Sequence, residues 1–178
     1  MKNAIILSLM LAIGTILTAQ PNEGINKEKM KTFDAWIGRW QGEGAMQMGQ
    51  GEPKKSTVDE HIQSKLDGTI LLIEGIGKAK NANTQEETVV HHALGILSYD
   101  PVTDQYKLRS HLKNGRSTDA WFTIVGENIP VGFEAPNVKM RYFITLDPIQ
   151  KSWHEIGEFS QDGSTWQKVF EMNLKKTE

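Results

Sequence analysis

The chain of 178 residues carries 20 basic and 22 acidic side chains, and its net charge of −2 argues against nucleic acid as the main partner. It contains no cysteine, which excludes a disulfide scaffold, a thiolate metal site and a cysteine nucleophile. Hydrophobic residues make up 38% of the sequence, and this length and composition fit one folded domain with a sizeable core.

The first nineteen residues, 1–19, have the three parts of a secretory signal peptide. Lys2 gives a short basic start, residues 4–17 form an apolar run, and Ala19 stands shortly before the helix-breaking Pro21. The run is too short to span a bilayer comfortably. We therefore predict cleavage near Ala19 and a soluble mature protein without a membrane span, exported to the periplasm or secreted. An uncleaved N-terminal anchor is the alternative.

The segment that follows changes from an arm to a helix. Residues 20–29 are polar and predict a flexible N-terminal arm. Met30, Phe33 and Trp36 then recur at three-residue steps, which indicates a short amphipathic helical segment over 27–37.

Beyond this helix the apolar period is two, which is typical of β-strands. Asp-Gly and Asn-Gly pairs, which suit tight hairpin turns, separate several of the stretches. The predicted strands cover 38–48, 56–67, 69–79, 88–99, 106–113, 117–125, 129–134, 138–147, 152–160 and 165–175.

Ten strands joined by short turns favour consecutive antiparallel neighbours. An open sheet of this size would leave two long edges, and closure removes them. We predict an all-β domain over 30–176, a ten-stranded antiparallel up-and-down β-barrel whose N-terminal helical turn closes one end. A two-sheet sandwich is the alternative.

Turn positions predict which side chains share the inner face. A two-residue turn at Asp162–Gly163 puts Glu155 and Lys168 on one apolar face as diagonal neighbours. They would form a buried ion pair, lie near a barrel mouth in water, or line a ligand cavity. A turn at Asp67–Gly68 puts Glu60 on the inner face as well, and we expect it at the exposed rim.

Two further polar groups belong to the same wall. Tyr142 shares a face with apolar neighbours, and its hydroxyl would need a partner there. His91 and His92 point to opposite faces, and pairing of Tyr99 with Tyr106 turns His91 inward. An inward histidine acts as an acid–base group, a haem ligand or a hydrogen-bonded wall residue.

Firm catalytic and metal signatures are absent from the sequence. It contains no G-x-S-x-G and no H-E-x-x-H motif. Adjacent strand histidines cannot bind one metal together. We therefore predict no metal site and assign no catalytic residue.

Three motifs carry a resemblance to a known family. The G-R-W-Q-G-E-G run of 38–44 resembles the opening of calycin-type barrels, the lipocalin and nitrobindin relatives. The runs 95–103 and 160–166 look like the strand–turn signatures of a bacterial calycin-like family of unknown function. The resemblance implies a nitrobindin-type barrel with Trp40 near its closed end, packed under a basic residue, Lys168 by preference or Lys175.

The sequence differs from nitrobindin at the position of the haem ligand. The segment that carries nitrobindin's haem-ligating histidine has no match, since the last histidine here is His154. Haem is therefore an alternative ligand, and no cofactor is the first expectation.

The leading hypothesis is an exported, non-catalytic barrel that binds a small apolar or amphipathic molecule in its interior. A calycin-type isomerase or hydrolase, with Glu155 or His91 as base and Lys168 or Tyr142 stabilising negative charge, is the alternative. A haem or nitric-oxide barrel and a solidly packed interaction barrel are others. The predicted ligand-binding residues are Trp40, Glu60, His91, Tyr142, Glu155 and Lys168.

Overall fold

The computed structural model describes residues 23–47, 49–81, 83–122, 124, 128–135 and 138–178. The predicted signal peptide, 1–19, lies outside these residues. One α-helix, α1 (Glu23–Met30), and a 3₁₀ turn, Lys31–Trp36, precede the strands. The helix thus begins at Glu23, inside the segment 20–29 predicted as an arm. Among the described residues no helix has the length and apolarity that crossing a membrane requires.

The described residues form ten strands, which close into a single antiparallel barrel in which β1 pairs with both β2 and β10. Each remaining strand pairs with the strands before and after it in the sequence, which is the up-and-down order. The predicted fold class is thus confirmed. The strands are β1 (Gly38–Met46), β2 (Lys54–Lys65), β3 (Ile70–Lys80), β4 (Glu87–Asp100), β5 (Gln105–Leu112), β6 (Ser117–Phe122), β7 (Asn128–Ala135), β8 (Val138–Asp147), β9 (Ser152–Ser160) and β10 (Gln167–Lys176).

The hairpin between β2 and β3 has the register that the sequence predicts. Glu60 pairs with Gly75 and Ile62 with Ile73. Leu66, Asp67 and Gly68 all have positive φ, the conformation that Asp-Gly turns favour. The turn thereby fixes which face of both strands is inward.

The helical segment closes one end of the barrel with aromatic side chains. Phe33 and Trp36 are buried, and the Trp36 ring lies edge-on to Trp153 at 4.7 Å between centroids. Phe33 makes edge contacts with Phe122 at 5.4 Å and with Tyr106 at 5.2 Å. Such edge-to-face contacts add to the stabilisation from burial. We call this closed end the floor.

Trp40 lies in the floor with 1% of its surface exposed. Its indole Nε1 donates a hydrogen bond to the Trp36 carbonyl oxygen at 2.7 Å. The basic residue over its ring is Lys176, whose Nζ lies 5.3 Å from the ring centroid. Neither Lys168 nor Lys175 takes this position, because Lys176 is the residue of β10 that pairs with Trp40.

Candidate functional site

The barrel interior is packed at the floor and more open above it. Inward side chains near the floor are buried, whereas several inward side chains farther along the strands keep part of their surface exposed. Because these residues face the barrel axis, that surface faces the interior space, which we call the lumen. The half-buried lumen residues include Val58, Glu60, Ile73, Leu108, Ser110, Tyr142, Glu155 and Phe170.

Inward glycines let neighbouring groups approach the barrel wall closely. A β-carbon at Gly42 would collide with the backbone oxygen of Asn173, so this glycine makes room for β10. Gly42 and Gly44 occupy two successive inward positions of β1, the strand between Glu60 on one side and β10 on the other. A β-carbon at Gly75 would lie 2.5 Å from Oε1 of Glu60. The absence of a side chain at Gly75 is therefore what lets the Glu60 carboxyl lie against the wall.

Glu60 lies deep in the barrel. Its predicted position at the exposed rim is therefore wrong. Glu60 on β2 pairs directly with the floor residue Trp40 on the neighbouring strand β1, and this pairing sets its depth. Burial raises the pKa of Glu60 from 4.5 to about 8, and the charges of Glu155 and Asp59 add to the increase. Within the part of the chain that the structure describes, the Glu60 carboxyl accepts no hydrogen bond and forms no ion pair.

Glu155 lies on the other side of β1 and β10, on β9. Burial raises the pKa of Glu155 to about 7. The indole of Trp153 donates a hydrogen bond to Oε2 at 3.2 Å, and this bond partly lowers the pKa again. That bond is its one hydrogen bond from the described residues. Since the charge of Glu155 raises the pKa of Glu60, the two carboxyls share one electrostatic environment.

Tyr142 completes the polar group of the lumen. Burial, together with the Glu155 charge, raises the pKa of its phenol to about 12, so the hydroxyl stays protonated at neutral pH. Its ring lies edge-on to Phe170 at 6.1 Å between centroids. A β-carbon at Gly157 would lie 2.8 Å from the Tyr142 ring, so this glycine makes the space that the ring occupies.

Lys168 does not belong to this group, and its predicted inward position is wrong. It faces outward, and its Nζ lies 2.8 Å from Oε2 of Glu171. A bulge between Lys168 and Phe170 changes the face on which the start of β10 lies.

The loop before β10 is also longer than a two-residue turn. The Asp162 carboxylate accepts hydrogen bonds from the backbone amides of Ser164 at 2.7 Å and Thr165 at 2.8 Å. Phe159 consequently pairs with Gln167 and not with Trp166.

Removal of the Lys168 charge should therefore have little effect on stability. We expect Lys168→Met to change the free energy of unfolding by about 1 kcal/mol or less, because exposed ion pairs contribute little. We also expect additivity with Glu155→Gln, since the two side chains have no shared partner. Urea unfolding of both single variants and the double variant measures this, and a coupling of about 2 kcal/mol would contradict the outward placement.

His91 faces inward at the open side of the lumen. It pairs with Gly77, and its side chain is exposed. The predicted pairing of Tyr99 with Tyr106, from which this inward direction was inferred, is present. Partial burial, together with the charge of His92, lowers its pKa and favours the neutral imidazole. His92 faces outward and contacts Oε1 of Glu74 at 2.9 Å through Nε2.

The lumen residues fit haem poorly. A porphyrin has broad apolar faces, whereas the wall beyond His91 carries two carboxyls without a cationic partner. The described residues also contain no group of three or more histidine or acidic side chains that could hold a metal ion. Haem binding stays an expectation of the resemblance alone.

A second concave surface lies along β1 to β4, and neither Glu60 nor Glu155 is among its lining residues. Its acidic centre, Asp59, already accepts hydrogen bonds from Arg39 at 2.8 Å and Gln41 at 2.6 Å. Both carboxylate oxygens of Asp59 therefore already have hydrogen-bond donors from the protein. The groove is lined by Gln41, Gly42, Thr57, Val58, Asp59, Ile76, Lys78 and Glu87.

Comparison with known proteins supports the fold and does not identify a family. The chain is similar to the crystal structure of Rv2717c from M. tuberculosis, with a TM-score of 0.60 and 12% sequence identity. The match covers 84% of this chain and 97% of that one. No family model and no curated protein matches the sequence. At this identity the similarity shows a common barrel-like fold alone.

Proposed function

We propose that this protein is an exported barrel that binds one small amphipathic molecule in its lumen without transforming it. The observation that carries the proposal is the pair Glu60 and Glu155, which are half-buried, inward side chains with almost no partners from the described residues. Carboxyls that face an interior space without protein partners are satisfied by water or by a ligand. Pockets for small molecules are typically lined by apolar groups and a few such polar ones.

Two measurements test ligand binding. Native mass spectrometry of protein purified from its own host should reveal a non-covalent adduct, and members of a lipid and metabolite panel should raise the melting temperature. A ligand-free spectrum together with no thermal shift across the panel would contradict the proposal.

A matched pair of variants on β5 locates the binding in the lumen. Ser110 faces inward and is half-buried, whereas the next residue, His111, faces outward and is exposed. We expect Ser110→Trp to weaken binding by about tenfold or more, because the ring occupies lumen volume. His111→Trp should leave the affinity unchanged. Equal effects of the two variants would place the ligand elsewhere.

An acid–base enzyme is the second candidate, and the separation of Glu155 from Lys168 favours it. A carboxyl with a pKa of about 7 is suited to proton abstraction at neutral pH. Glu60 and Tyr142, both protonated at that pH, could donate hydrogen bonds to a developing oxyanion. This arrangement fits isomerisation of an apolar ketone and needs no contribution from Lys168.

Deuterium exchange separates the two candidates. An apolar ketone that binds in deuterated water should incorporate deuterium next to its carbonyl if Glu155 acts as a base, and Glu155→Gln should abolish the exchange. Binding without exchange favours the non-catalytic barrel.

Export is part of the proposal and rests on the pattern of 1–19. Expression in the native host followed by N-terminal sequencing should give a mature chain that begins near Gln20. A chain that retains the apolar run would favour the uncleaved anchor.

A further inference from the structure

The two lumen carboxyls lack a cation. In the described part of the chain neither forms an ion pair, and nearby basic side chains are engaged elsewhere. Arg39 pairs with Asp59 at 2.8 Å, and Arg141 pairs with Glu158 at 2.6 Å. Lys168 pairs with Glu171 at 2.8 Å. The protein therefore supplies acceptors to the lumen without the charge that would balance them.

Two glycines of β1 leave part of the wall between the carboxyls without side chains. The strand order places β1 and β10 between β2 and β9, which carry Glu60 and Glu155. The inward residues of β1 in this region are Trp40, which pairs with Glu60, and then Gly42 and Gly44. Gly44 pairs with the buried Met172 of β10, which in turn pairs with Glu155. A ligand head group entering along this strip of wall would have Glu60 on one side and Glu155 on the other.

Aromatic rings lie beside the same region. Tyr142 on β8 pairs with Gly157 on β9, and the Tyr142 ring contacts Phe170. Since Oε2 of Glu155 accepts from Trp153, the second oxygen, Oε1, remains for a ligand. Carboxylates and aromatic faces together are the groups that recognise organic cations.

We infer that the lumen ligand is an organic amine, whose protonated nitrogen lies between Glu60 and Glu155 and whose apolar body packs among the lumen rings. The inference rests on the proposed binding function and specifies its ligand class. A bound ammonium group would donate hydrogen bonds to both side chains and balance the charge of one carboxylate. A neutral ligand with a carbonyl group would instead require the carboxyls to stay protonated.

The two ligand classes differ in their dependence on pH. The carboxyls hold protons in the free protein near neutral pH and must release them to bind a cation, so the affinity for an amine should increase with pH. A carbonyl ligand should bind more weakly as pH rises. The other titratable groups that face this region are His91 and Tyr142 on the inner wall and Lys176 at the floor. Asp59, on the outer face of β2, acts on Glu60 through its charge.

The experiment compares n-decylamine, n-decanol and decanoic acid, which share one apolar chain, by tryptophan fluorescence titration below their aggregation limits. We expect the amine to bind at least about tenfold more tightly than the alcohol at a pH of about 8.5. Its affinity should rise by about tenfold or more between a pH of about 6 and about 8.5. Glu60→Gln and Glu155→Gln should each remove most of this preference while retaining decanol binding, which shows that the variant is folded.

Glu43→Gln is the matched control, because Glu43 is an exposed, outward residue of the intervening strand β1. It should leave the amine preference unchanged. Equal affinity for amine and alcohol, or preference for decanoic acid, would overturn the amine inference and leave the binding function standing. Absence of binding by all three ligands would count against the binding function itself and overturn the inference with it.

Discussion

Trp40→Ala is expected to lower the free energy of unfolding by about 3–5 kcal/mol, because it empties a large buried site in the floor. The substitution removes the indole that donates to the Trp36 carbonyl and that packs edge-on to Trp153 at 5.7 Å between centroids. It leaves that carbonyl without its hydrogen-bond donor and removes the ring beneath Lys176. Urea unfolding followed by circular dichroism measures the loss.

Trp166→Ala is the control for this prediction. Trp166 is a half-buried residue before β10, and its ring lies 3.9 Å from the guanidinium carbon of Arg141. Its removal should cost about 1 kcal/mol, because a partly exposed cation–π contact is weak. A loss below about 1 kcal/mol in Trp40→Ala would show that the helical segment does not seal the floor.

Ionisation of Glu60 and Glu155 is expected to destabilise the ligand-free protein as pH rises. Both have folded-state pKa values, about 8 and about 7, above their usual value of 4.5. Their contribution to stability is therefore fully present below a pH of 4.5 and is lost as pH rises through about 7 and 8. The loss between a pH of about 5 and about 9 should be on the order of 6 kcal/mol.

Urea unfolding across this range tests the prediction. The lower limit keeps Asp100 and Asp162, with pKa values of about 2, ionised in the folded state. The double variant Glu60→Gln with Glu155→Gln should lose most of the decline, whereas Glu43→Gln should retain it. An equal decline in wild type and double variant would mean that other groups cause it.

The strands could be predicted from the sequence because the barrel wall enforces a strict period of two. In β5 every inward residue is more buried than its outward neighbours, and this alternation is visible in the sequence. The Asp67–Gly68 turn fixes the register of β2 with β3, so the inward direction of Glu60 follows from local chemistry. Pairing of Tyr99 with Tyr106 turns His91 inward in the same way.

The position of Lys168 could not be predicted by the same arithmetic. Asp162 draws the following residues into a wider loop through its carboxylate, and the bulge after Lys168 then changes the inward side of β10. Both depend on hydrogen bonds that a count of turn residues does not include. Because the bulge turns Lys168 outward, the predicted pair of Glu155 and Lys168 does not form.

The depth of Glu60 was also missed, although its inward direction was predicted. Depth depends on the register between β1 and β2, whose connecting loop contains no short turn motif that would fix it. The pairing of Glu60 with Trp40 across β1 is the signal that could have revealed it, because Trp40 was already assigned to the closed end.

Titration of the glutamate side-chain carboxyls by carbon-13 NMR tests the central claim most directly. With resonances assigned through single Glu→Gln variants, the Glu155 and Glu60 carboxyls should titrate near a pH of about 7 and about 8. Glu171, held by Lys168 and His154 on the outer face, should titrate below 4.5. Titration of Glu60 and Glu155 at or below 4.5 would show that they are hydrated or paired with a cation, and would contradict the unpartnered carboxyl pair on which the proposed site depends.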